Sequence, residues 1–243
     1  MAKLQRIIPA KQQVYLEGPR SRTYELKFAF TVFKEFIAAF RTLHFAGPCI
    51  TVFGSARFKE NHPYYKVARE FGNRIAALGF TVITGGGPGI MEAANRGAYE
   101  NGGTSIGCNI VLPHEQKENS YLTKSITFDH FFVRKTILVK YSYAFIIMPG
   151  GIGTMDELFE ILTLIQTKVV TQFPVVLYGE SYYKGLVRQL EFMARQGTLT
   201  EEDLKLVLLT NNIDDAMQHI SKYISTNYVI KPRKRIPWLF EKR

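Results

Sequence analysis

Cysteine and long apolar runs are both scarce in this sequence of 243 residues. Two cysteines, Cys49 and Cys108, are too few for a disulfide framework or a cysteine-rich zinc site, which favours a reducing compartment. The most apolar run, residues 137–148, contains Lys140 and is far shorter than the ~20 residues of a membrane-spanning helix. No early stretch has the order of a signal peptide. We therefore expect a soluble, cytoplasmic protein with no membrane partner.

The positive charge of the chain is concentrated at its two ends. The net charge is +10, of which residues 1–27 carry +4 and residues 231–243 carry +5, so that residues 28–230 carry only +1. Basic tails are most often solvated chain ends, although they can touch nucleic acid or an acidic partner. We expect any contact with nucleic acid to be confined to these tails.

Short apolar runs alternate with amphipathic helical patterns from Pro48 onward, which is typical of a parallel sheet covered by helices on both faces. The sequence predicts one Rossmann-like, doubly wound α/β domain with an N-terminal helical extension. The predicted division is a basic extension with a helix over 1–46, the domain over 47–228 and a basic tail over 229–243. Strands are predicted at 49–53, 80–83, 104–112, 144–148, 173–178 and 205–209, with 113–124 irregular. Helices are predicted at 24–43, 64–78, 90–99, 131–141, from Thr154 onward, 182–194 and 214–224.

Two glycine-rich segments follow predicted strands, where open parallel sheets bind ligands. They are Gly85-Gly86-Gly87-Pro88-Gly89 and Pro149-Gly150-Gly151-Ile152-Gly153. Glycine leaves backbone N–H groups accessible at a helix N-terminus, where the helix dipole favours phosphate. Neither segment has the Lys-Ser or Lys-Thr of a P-loop, and acids stand where a dinucleotide fingerprint has its third glycine. A single such turn could serve strand–helix packing alone, but two on one sheet indicate a phosphate-bearing ligand other than NAD.

Charged residues accompany the second glycine segment. Thr154-Met155-Asp156-Glu157 forms the first helical turn after it, and Arg134 and Lys135 are adjacent on the helix predicted before the 144–148 strand. Acids at a helix N-terminus are common caps, and paired cations are commonly a solvated helix face. Beside a phosphate site, however, a carboxylate and a cation indicate groups that handle different parts of one ligand.

Three of these segments together carry a resemblance to a known family. Gly85 to Met91, the Phe-Val-Arg-Lys ending at Lys135, and the Pro-Gly-Gly-Ile-Gly-Thr-Met-Asp-Glu ending at Glu157 resemble the LOG ("lonely guy") family of nucleoside 5′-monophosphate phosphoribohydrolases, also labelled possible lysine decarboxylases. The resemblance runs from about Cys49 to Tyr178. It implies a homodimer or larger even oligomer that cleaves the N-glycosidic bond of AMP or a cytokinin riboside 5′-monophosphate, releasing free base and ribose 5-phosphate. No cofactor or metal is implied.

The same resemblance implies the site residues by motif position. Arg134 and Glu157 form the implied catalytic pair. The implied nucleotide contacts are Gly54, Ser55, Lys135, Gly150, Gly151, Gly153, Thr154, Asp156 and Thr163. Two features look more like a bacterial branch than like plant members: the Phe-Phe-Val before the Arg-Lys pair and the Gln166-Thr167 pair. We therefore expect AMP or a related purine monophosphate as a substrate as well as the cytokinin nucleotide.

Cleavage of a ribosyl–base bond develops positive charge on C1′ and O4′ of the sugar. Glu157 suits this chemistry because a carboxylate stabilises that charge or accepts a proton from water. Arg134 stays protonated, so we expect it to orient Glu157 or to balance charge on the ligand.

Two other interpretations of the same pocket stay open. A nucleotide-binding or carrier protein would use the same pocket without chemistry. A lysine decarboxylase would need pyridoxal phosphate on a Schiff-base lysine, and Lys135 is the only lysine of the three motifs. His62, His114 and His130 have no spacing typical of metal ligands, so we expect them to be surface or loop residues.

Overall fold

The computed structural model describes residues 20–112, 117–170, 173–205 and 207–229. Within these ranges the chain forms eight helices and seven strands. The strands are β1 Cys49–Phe53, β2 Thr81–Thr84, β3 Ser105–Ile110, β4 Lys124–Phe128, β5 Ser142–Ile147, β6 Val175–Tyr178 and β7 Val207–Thr210. The helices are α1 Arg22–Leu43, α2 Pro63–Ala77, α3 Ile90–Glu100, α4 Phe131–Tyr141, α5 Ile152–Gln166, α6 Glu180–Arg195, α7 Glu201–Leu204 and α8 Ile213–Asn227.

All seven strands lie in one parallel sheet in the order β4-β3-β2-β1-β5-β6-β7. The chain moves outward from β1 to β4 and then returns to place β5 on the other side of β1. The direction of winding therefore reverses between β1 and β5, and such a reversal opens a crevice at the carboxyl ends of the two strands.

Helices cover both faces of the sheet. Helices α1, α4, α5 and α6 contribute buried side chains to the apolar core on one face, whereas α2, α3 and α8 contribute to the core on the other. The central strand β1 is buried along its whole length, and it sends Cys49 and Phe53 to the first core but Ile50 and Val52 to the second. Side chains alternate between the two faces along a strand, and both faces are buried here. The sequence of such a strand is therefore one continuous apolar run.

The architecture confirms the predicted doubly wound α/β fold, but two elements were not predicted. Strand β4 includes Lys124 and extends beyond the segment predicted to be irregular, and α7 is a single turn of four residues. Among the described strands, β4 pairs only with β3, and it alternates buried or half-buried with exposed side chains. An edge strand of this kind lacks the continuous apolar run by which buried strands are recognised.

The charged ends of the chain lie largely outside the described residues. Residues 1–19 and 230–243 fall in this part, as does His114, so the predicted domain limits stay a prediction. Within the described part, no helix is both long enough and apolar enough to span a bilayer.

Candidate active site

The loops after β1 and β5 meet where the direction of winding reverses. The Met148 N–H donates to the Phe53 carbonyl at 2.8 Å, and the Ser55 N–H donates to the Pro149 carbonyl at 3.0 Å. The Ser55 hydroxyl accepts from the Arg57 N–H, so this serine is held by backbone groups on both sides. These bonds place the Gly54-Ser55 turn directly beside the Pro149-Gly150-Gly151 turn.

The N-terminus of α5 is open to an anion. Its cap residue is Gly151, and no side chain caps the helix. A Cβ on Gly150 would overlap the Thr154 hydroxyl, whereas a Cβ on Gly151 or Gly153 would meet no heavy atom within 4 Å. Gly151 and Gly153 are exposed, while Thr154 is buried beneath them. An uncapped helix start with accessible N–H groups has the geometry that binds phosphate.

The first glycine segment, residues 85–89, has a different role from the second, although the two look alike in the sequence. A Cβ on Gly89 would overlap Ser55 and Ala56, and the Ile90 N–H already donates to the Ser55 carbonyl at 3.0 Å. The Asn119 side-chain amide donates to the carbonyls of Gly86 and Gly87 at 3.0 and 3.1 Å. This buried loop is closed by protein groups, so only the second segment leaves its helix start accessible.

Arg134 lies in a largely buried position on the first turn of α4, with its side chain 12% exposed. Its Nε donates to the Cys108 carbonyl at the end of β3 at 2.7 Å, and its Nη1 lies 3.8 Å from Glu157 Oε1. A Cβ on Gly85 would overlap the Arg134 guanidinium, so glycine at that position makes room for it. Burial lowers the pKa of Arg134, and the neighbouring Glu157 opposes that change.

Glu157 is a buried carboxyl whose polar atoms are not all paired. Its side chain is 7% exposed, and its Oε2 has no hydrogen-bond partner within the described part of the chain. Burial raises the pKa of Glu157 to about 7, while Arg134 and Lys135 act in the opposite direction. A carboxyl with a pKa near neutrality is typical of a group that exchanges protons in catalysis.

Lys135 is engaged by two acids of the neighbouring helix. Its Nζ lies 3.0 Å from Asp156 Oδ2 and 2.9 Å from Glu160 Oε2. Burial lowers the pKa of Lys135, but the hydrogen bonds to Glu160 and Asp156 outweigh it and raise the pKa overall. The structure therefore brings Lys135 and Asp156 together as an ion pair between α4 and α5, and their contact with a nucleotide stays a prediction.

Thr163 lies farther along α5 than the other predicted site residues of that helix. It lies six residues after Glu157 on α5, which corresponds to ~9 Å along the helix axis. It is exposed, and its hydroxyl donates to the Phe159 carbonyl at 2.7 Å. Its predicted role at the nucleotide stays untested by this geometry.

Sequence reasoning missed three residues that hold the site. Tyr182 and Tyr183 at the start of α6 donate their hydroxyls to the carbonyls of Gly150 and Met148, at 2.5 and 2.8 Å. Glu160 is the second acid on Lys135, and its spacing of four from Asp156 was a signal available in the sequence. The tyrosines gave no such signal because their contact spans more than 30 residues of chain.

Two of the three histidines considered in the sequence, His62 and His130, are described and serve local structure. His62 caps α2 by accepting from the Tyr64 N–H, and His130 precedes α4 with its Nδ1 2.7 Å from Glu35 Oε1. Among the described residues, no group of three or more His, Cys, Asp or Glu side chains could hold a metal ion.

Fold and site together define a Rossmann-like α/β protein with an arginine beside a buried carboxyl at an open helix N-terminus. The family described as "Possible lysine decarboxylase" matches residues 91–220, which is more than half of the chain. The chain belongs to this family, the LOG family that its motifs resemble.

Curated relatives match over most of their own length. The chain is 29% identical over 160 residues to the cytokinin riboside 5′-monophosphate phosphoribohydrolase of Mycobacterium marinum, covering 65% of this chain and 86% of the relative. It is 28% identical over 177 residues to the protein of the same name from Rhodococcoides fascians, covering 70% and 88%.

Solved structures share the fold. The molybdenum cofactor binding protein of Rippkaea orientalis is 24% identical, with a TM-score of 0.55 over 73% of this chain and 98% of that protein. The molybdenum cofactor carrier protein of Chlamydomonas reinhardtii is 26% identical, with a TM-score of 0.53 over 74% and 99%.

Proposed function

We propose that this protein is a phosphoribohydrolase that cleaves the N-glycosidic bond of AMP or a cytokinin riboside 5′-monophosphate. The products are the free base and ribose 5-phosphate. The observation that carries the proposal is the contact of Arg134 with the buried Glu157 beside the open N-terminus of α5. The names of the curated relatives support the same reaction class.

The N-terminus of α5 anchors the 5′-phosphate in this proposal. Gly151 and Gly153 leave room for its oxygens, and the helix dipole favours its charge. Glu157 lies on the same helix, less than two turns from this phosphate-binding N-terminus, so phosphate binding fixes the sugar against the carboxyl. Binding energy at a remote group then serves orientation at C1′.

Glu157 carries the proton in the proposed reaction. Water adds to C1′, the C–N bond breaks with its electron pair going to the base, and the base nitrogen gains a proton. Ionised Glu157 accepts the proton that water loses, and a carboxyl with a pKa of about 7 can also return it at neutral pH. The number of protons is therefore conserved without a metal or a cofactor.

Arg134 orients Glu157 rather than acting as a base. Its guanidinium is fixed by the Cys108 carbonyl, which holds it 3.8 Å from Glu157. That distance leaves the carboxyl only loosely compensated, which agrees with its raised pKa.

The environment of Lys135 argues against a Schiff-base lysine. A lysine that attacks a carbonyl carbon needs a lowered pKa, usually from an apolar or cationic setting. Lys135 instead contacts two carboxylates, and its pKa is raised. Decarboxylation through this lysine is therefore disfavoured.

A carrier without hydrolysis is the second candidate. The observation that favours it is the 26% identity to the molybdenum cofactor carrier protein over nearly the whole of that protein. A carrier would bind a nucleotide or a related phosphate-bearing ligand and would release no ribose 5-phosphate.

The deciding experiment compares the protein with Glu157→Gln on a panel of nucleoside monophosphates, nucleosides and triphosphates. We expect base release from monophosphates, and we expect Glu157→Gln to bind AMP but to hydrolyse it about 10²-fold or more slowly. Glu191→Gln, an exposed carboxyl on α6, is the matched control and should keep full activity. Binding without release by the unaltered protein would favour the carrier, and normal turnover by Glu157→Gln would remove Glu157 from the mechanism.

A further inference from the structure

The start of α6 is packed against the turn that leads into α5. A Cβ on Gly179, the residue before α6, would lie 3.1 Å from Pro149 Cγ, so the absence of a side chain there allows a close approach. One turn into the helix, the Tyr182 hydroxyl donates to the Gly150 carbonyl at 2.5 Å. Helix α6 therefore reaches the backbone of the glycine turn directly, although it carries none of the residues of the family motifs.

The peptide unit between Gly150 and Gly151 has more rotational freedom than its neighbours in the turn. Neither residue has a Cβ, so rotation of this unit meets little steric resistance. The preceding carbonyl, that of Pro149, is bonded to the Ser55 N–H at 3.0 Å, and the proline ring fixes one of its own dihedral angles. Within the described ranges, Tyr182 is the one donor to the Gly150 carbonyl, so its hydroxyl determines how this unit is turned.

The direction of the Gly150 carbonyl determines where the Gly151 N–H points. The carbonyl and the N–H of a trans peptide unit point in opposite directions, and the described chain has no cis peptide bond. Strand β6, which leads into α6, lies on one side of β5, and β1 lies on the other. A carbonyl that faces Tyr182 on α6 therefore turns the Gly151 N–H toward β1, where the direction of winding reverses.

The Gly151 N–H is available to a ligand in this orientation. It donates no hydrogen bond within the described part of the chain, and Gly151 is exposed. If the peptide unit rotated, the carbonyl oxygen would take the place of the N–H and would present partial negative charge to an anion. The bond from Tyr182 opposes this rotation, because it would be lost.

The neighbouring tyrosine makes a similar bond that supplies no donor. The Tyr183 hydroxyl donates to the Met148 carbonyl at 2.8 Å, and its side chain is fully buried. The next residue along the chain is Pro149, which has no N–H. Orientation of that peptide unit therefore offers nothing to a ligand, and the bond from Tyr183 serves packing.

We propose that Tyr182 is a positioning residue for phosphate binding, because its hydroxyl holds the Gly150–Gly151 peptide unit with the Gly151 N–H toward the ligand. A donor that is oriented before the ligand arrives costs no rearrangement when it binds. The inference rests on the phosphate site proposed at the N-terminus of α5, but it does not depend on hydrolysis.

Titration calorimetry with ribose 5-phosphate tests this role by comparing the full-length protein with Tyr182→Phe. We expect Tyr182→Phe to bind ribose 5-phosphate about fivefold more weakly. The KM for AMP should rise by a similar factor, whereas kcat should fall far less than in Glu157→Gln, because Tyr182 touches no reacting atom. Tyr182 is 48% exposed, so water can reach the Gly150 carbonyl in the variant, and we expect an unfolding temperature close to that of the unaltered protein.

Tyr178→Phe is the matched control. The Tyr178 hydroxyl donates to the Asn211 carbonyl at 2.7 Å, so the substitution removes the same kind of bond at the end of β6 instead of in the glycine turn. We expect Tyr178→Phe to bind ribose 5-phosphate as tightly as the unaltered protein does.

Three results would overturn the role of Tyr182, and they differ in what they leave standing. Unchanged affinity in Tyr182→Phe would mean that its bond only attaches α6, and the proposed function would stand. An equal loss of affinity in Tyr182→Phe and Tyr178→Phe would indicate a general disturbance of this edge of the sheet. Failure of the unaltered protein to bind ribose 5-phosphate would remove the phosphate site, and with it both the role of Tyr182 and the proposed function.

Discussion

Glu157 shows how a single residue combines function with a cost to stability. Its carboxyl is buried, one oxygen has no partner among the described residues, and Arg134 lies too far away for a close ion pair. A sequence optimised for stability alone would place a neutral side chain there, since buried charge is expensive without full pairing. Such an imbalance is commonly found where a residue takes part in chemistry.

The pH dependence of stability should reveal the raised pKa of the buried Glu157 carboxyl. Because the pKa of Glu157 rises from 4.5 to about 7 on folding, ionising it destabilises the folded protein progressively as pH rises through that interval. Glutamine does not titrate, so the stability of Glu157→Gln relative to the unaltered protein should increase by about 2 kcal/mol between pH 5 and pH 8. Urea unfolding of both proteins at the two pH values measures the difference.

Glu191→Gln is the control for this measurement. Its carboxyl is exposed, so its effect should stay within about 0.5 kcal/mol at both pH values. An equal pH dependence for the two variants would mean that the pKa of Glu157 is not raised in the folded protein.

Sequence motifs predicted the residues of the candidate site, but they did not predict which side chains contact one another. Arg134 and Glu157 were expected as a pair and are neighbours. Lys135 and Asp156 were both expected on a nucleotide and contact each other. A motif records residue types and their spacing along the chain, whereas an ion pair between two helices depends on how those helices pack.

At the scale of elements, alternating patterns predicted the buried strands and the long helices. Strand β1 and helix α4 occupy the predicted residues, because both lie against the apolar core over much of their length. Strand β4 escaped prediction because only Ile126 and Phe128 are apolar in it. The patterns also could not show which side of α1 packs against the core through Val32, Phe36 and Phe40, since its apolar residues occur on several sides.

One side-chain hydrogen bond connects α1 with the start of α4, the helix that carries Arg134. Glu35 on α1 and His130 before α4 lie 2.7 Å apart with side chains 11% and 20% exposed, and the Phe28 ring contacts His130 edge-on. The remaining Glu35 oxygen is buried without a partner among the described residues. The contact between Glu35 and His130 is therefore a polar contact in a largely buried region between the two helices. Removing one member leaves the other buried and unpaired.

A double-mutant cycle should reveal this coupling. We expect Glu35→Gln and His130→Asn to destabilise the protein by about 1–3 kcal/mol each, and the double variant to lose less than their sum by about 0.5–3 kcal/mol. Asparagine keeps a residue that favours the start of a helix. Urea unfolding measures all four proteins.

The exposed pair Arg69–Glu100 offers a comparison cycle on the opposite face of the sheet. Its side chains are 46% and 37% exposed, so its coupling should lie within about 1 kcal/mol. Additive effects at Glu35 and His130 would show that the two helices are joined by apolar packing alone.

At the scale of the whole molecule, the candidate site depends on both halves of the sheet. Strands β1 to β4 form one half and carry the Gly54-Ser55 turn and the Cys108 carbonyl, and β5 to β7 form the other half and lead into the glycine turn and α5. A ligand that binds between the halves therefore stabilises the entire fold, because it binds only when both are in place.

Because ligand binding and folding are linked in this way, the proposed phosphate site at the N-terminus of α5 can be tested independently of catalysis. Ribose 5-phosphate at 100 times its dissociation constant should stabilise the protein by about 2.7 kcal/mol, which raises the unfolding temperature by roughly 5–10 °C. Gly153→Asp should abolish the rise, because its carboxylate repels phosphate at the start of α5. The structure leaves open space at Gly153, and an acid there suits the helix dipole, so the unliganded variant should be as stable as the unaltered protein or more so.

Gly153→Asn separates charge from size in this experiment. Asparagine has nearly the same shape as aspartate without the charge, so we expect it to keep most of the ligand-induced rise, measured by thermal unfolding with and without ribose 5-phosphate. An equal loss in both variants would mean that a side chain at this position blocks the ligand sterically. A full rise in Gly153→Asp would place the phosphate away from the N-terminus of α5, and the orientation of the sugar against Glu157 would then need another anchor.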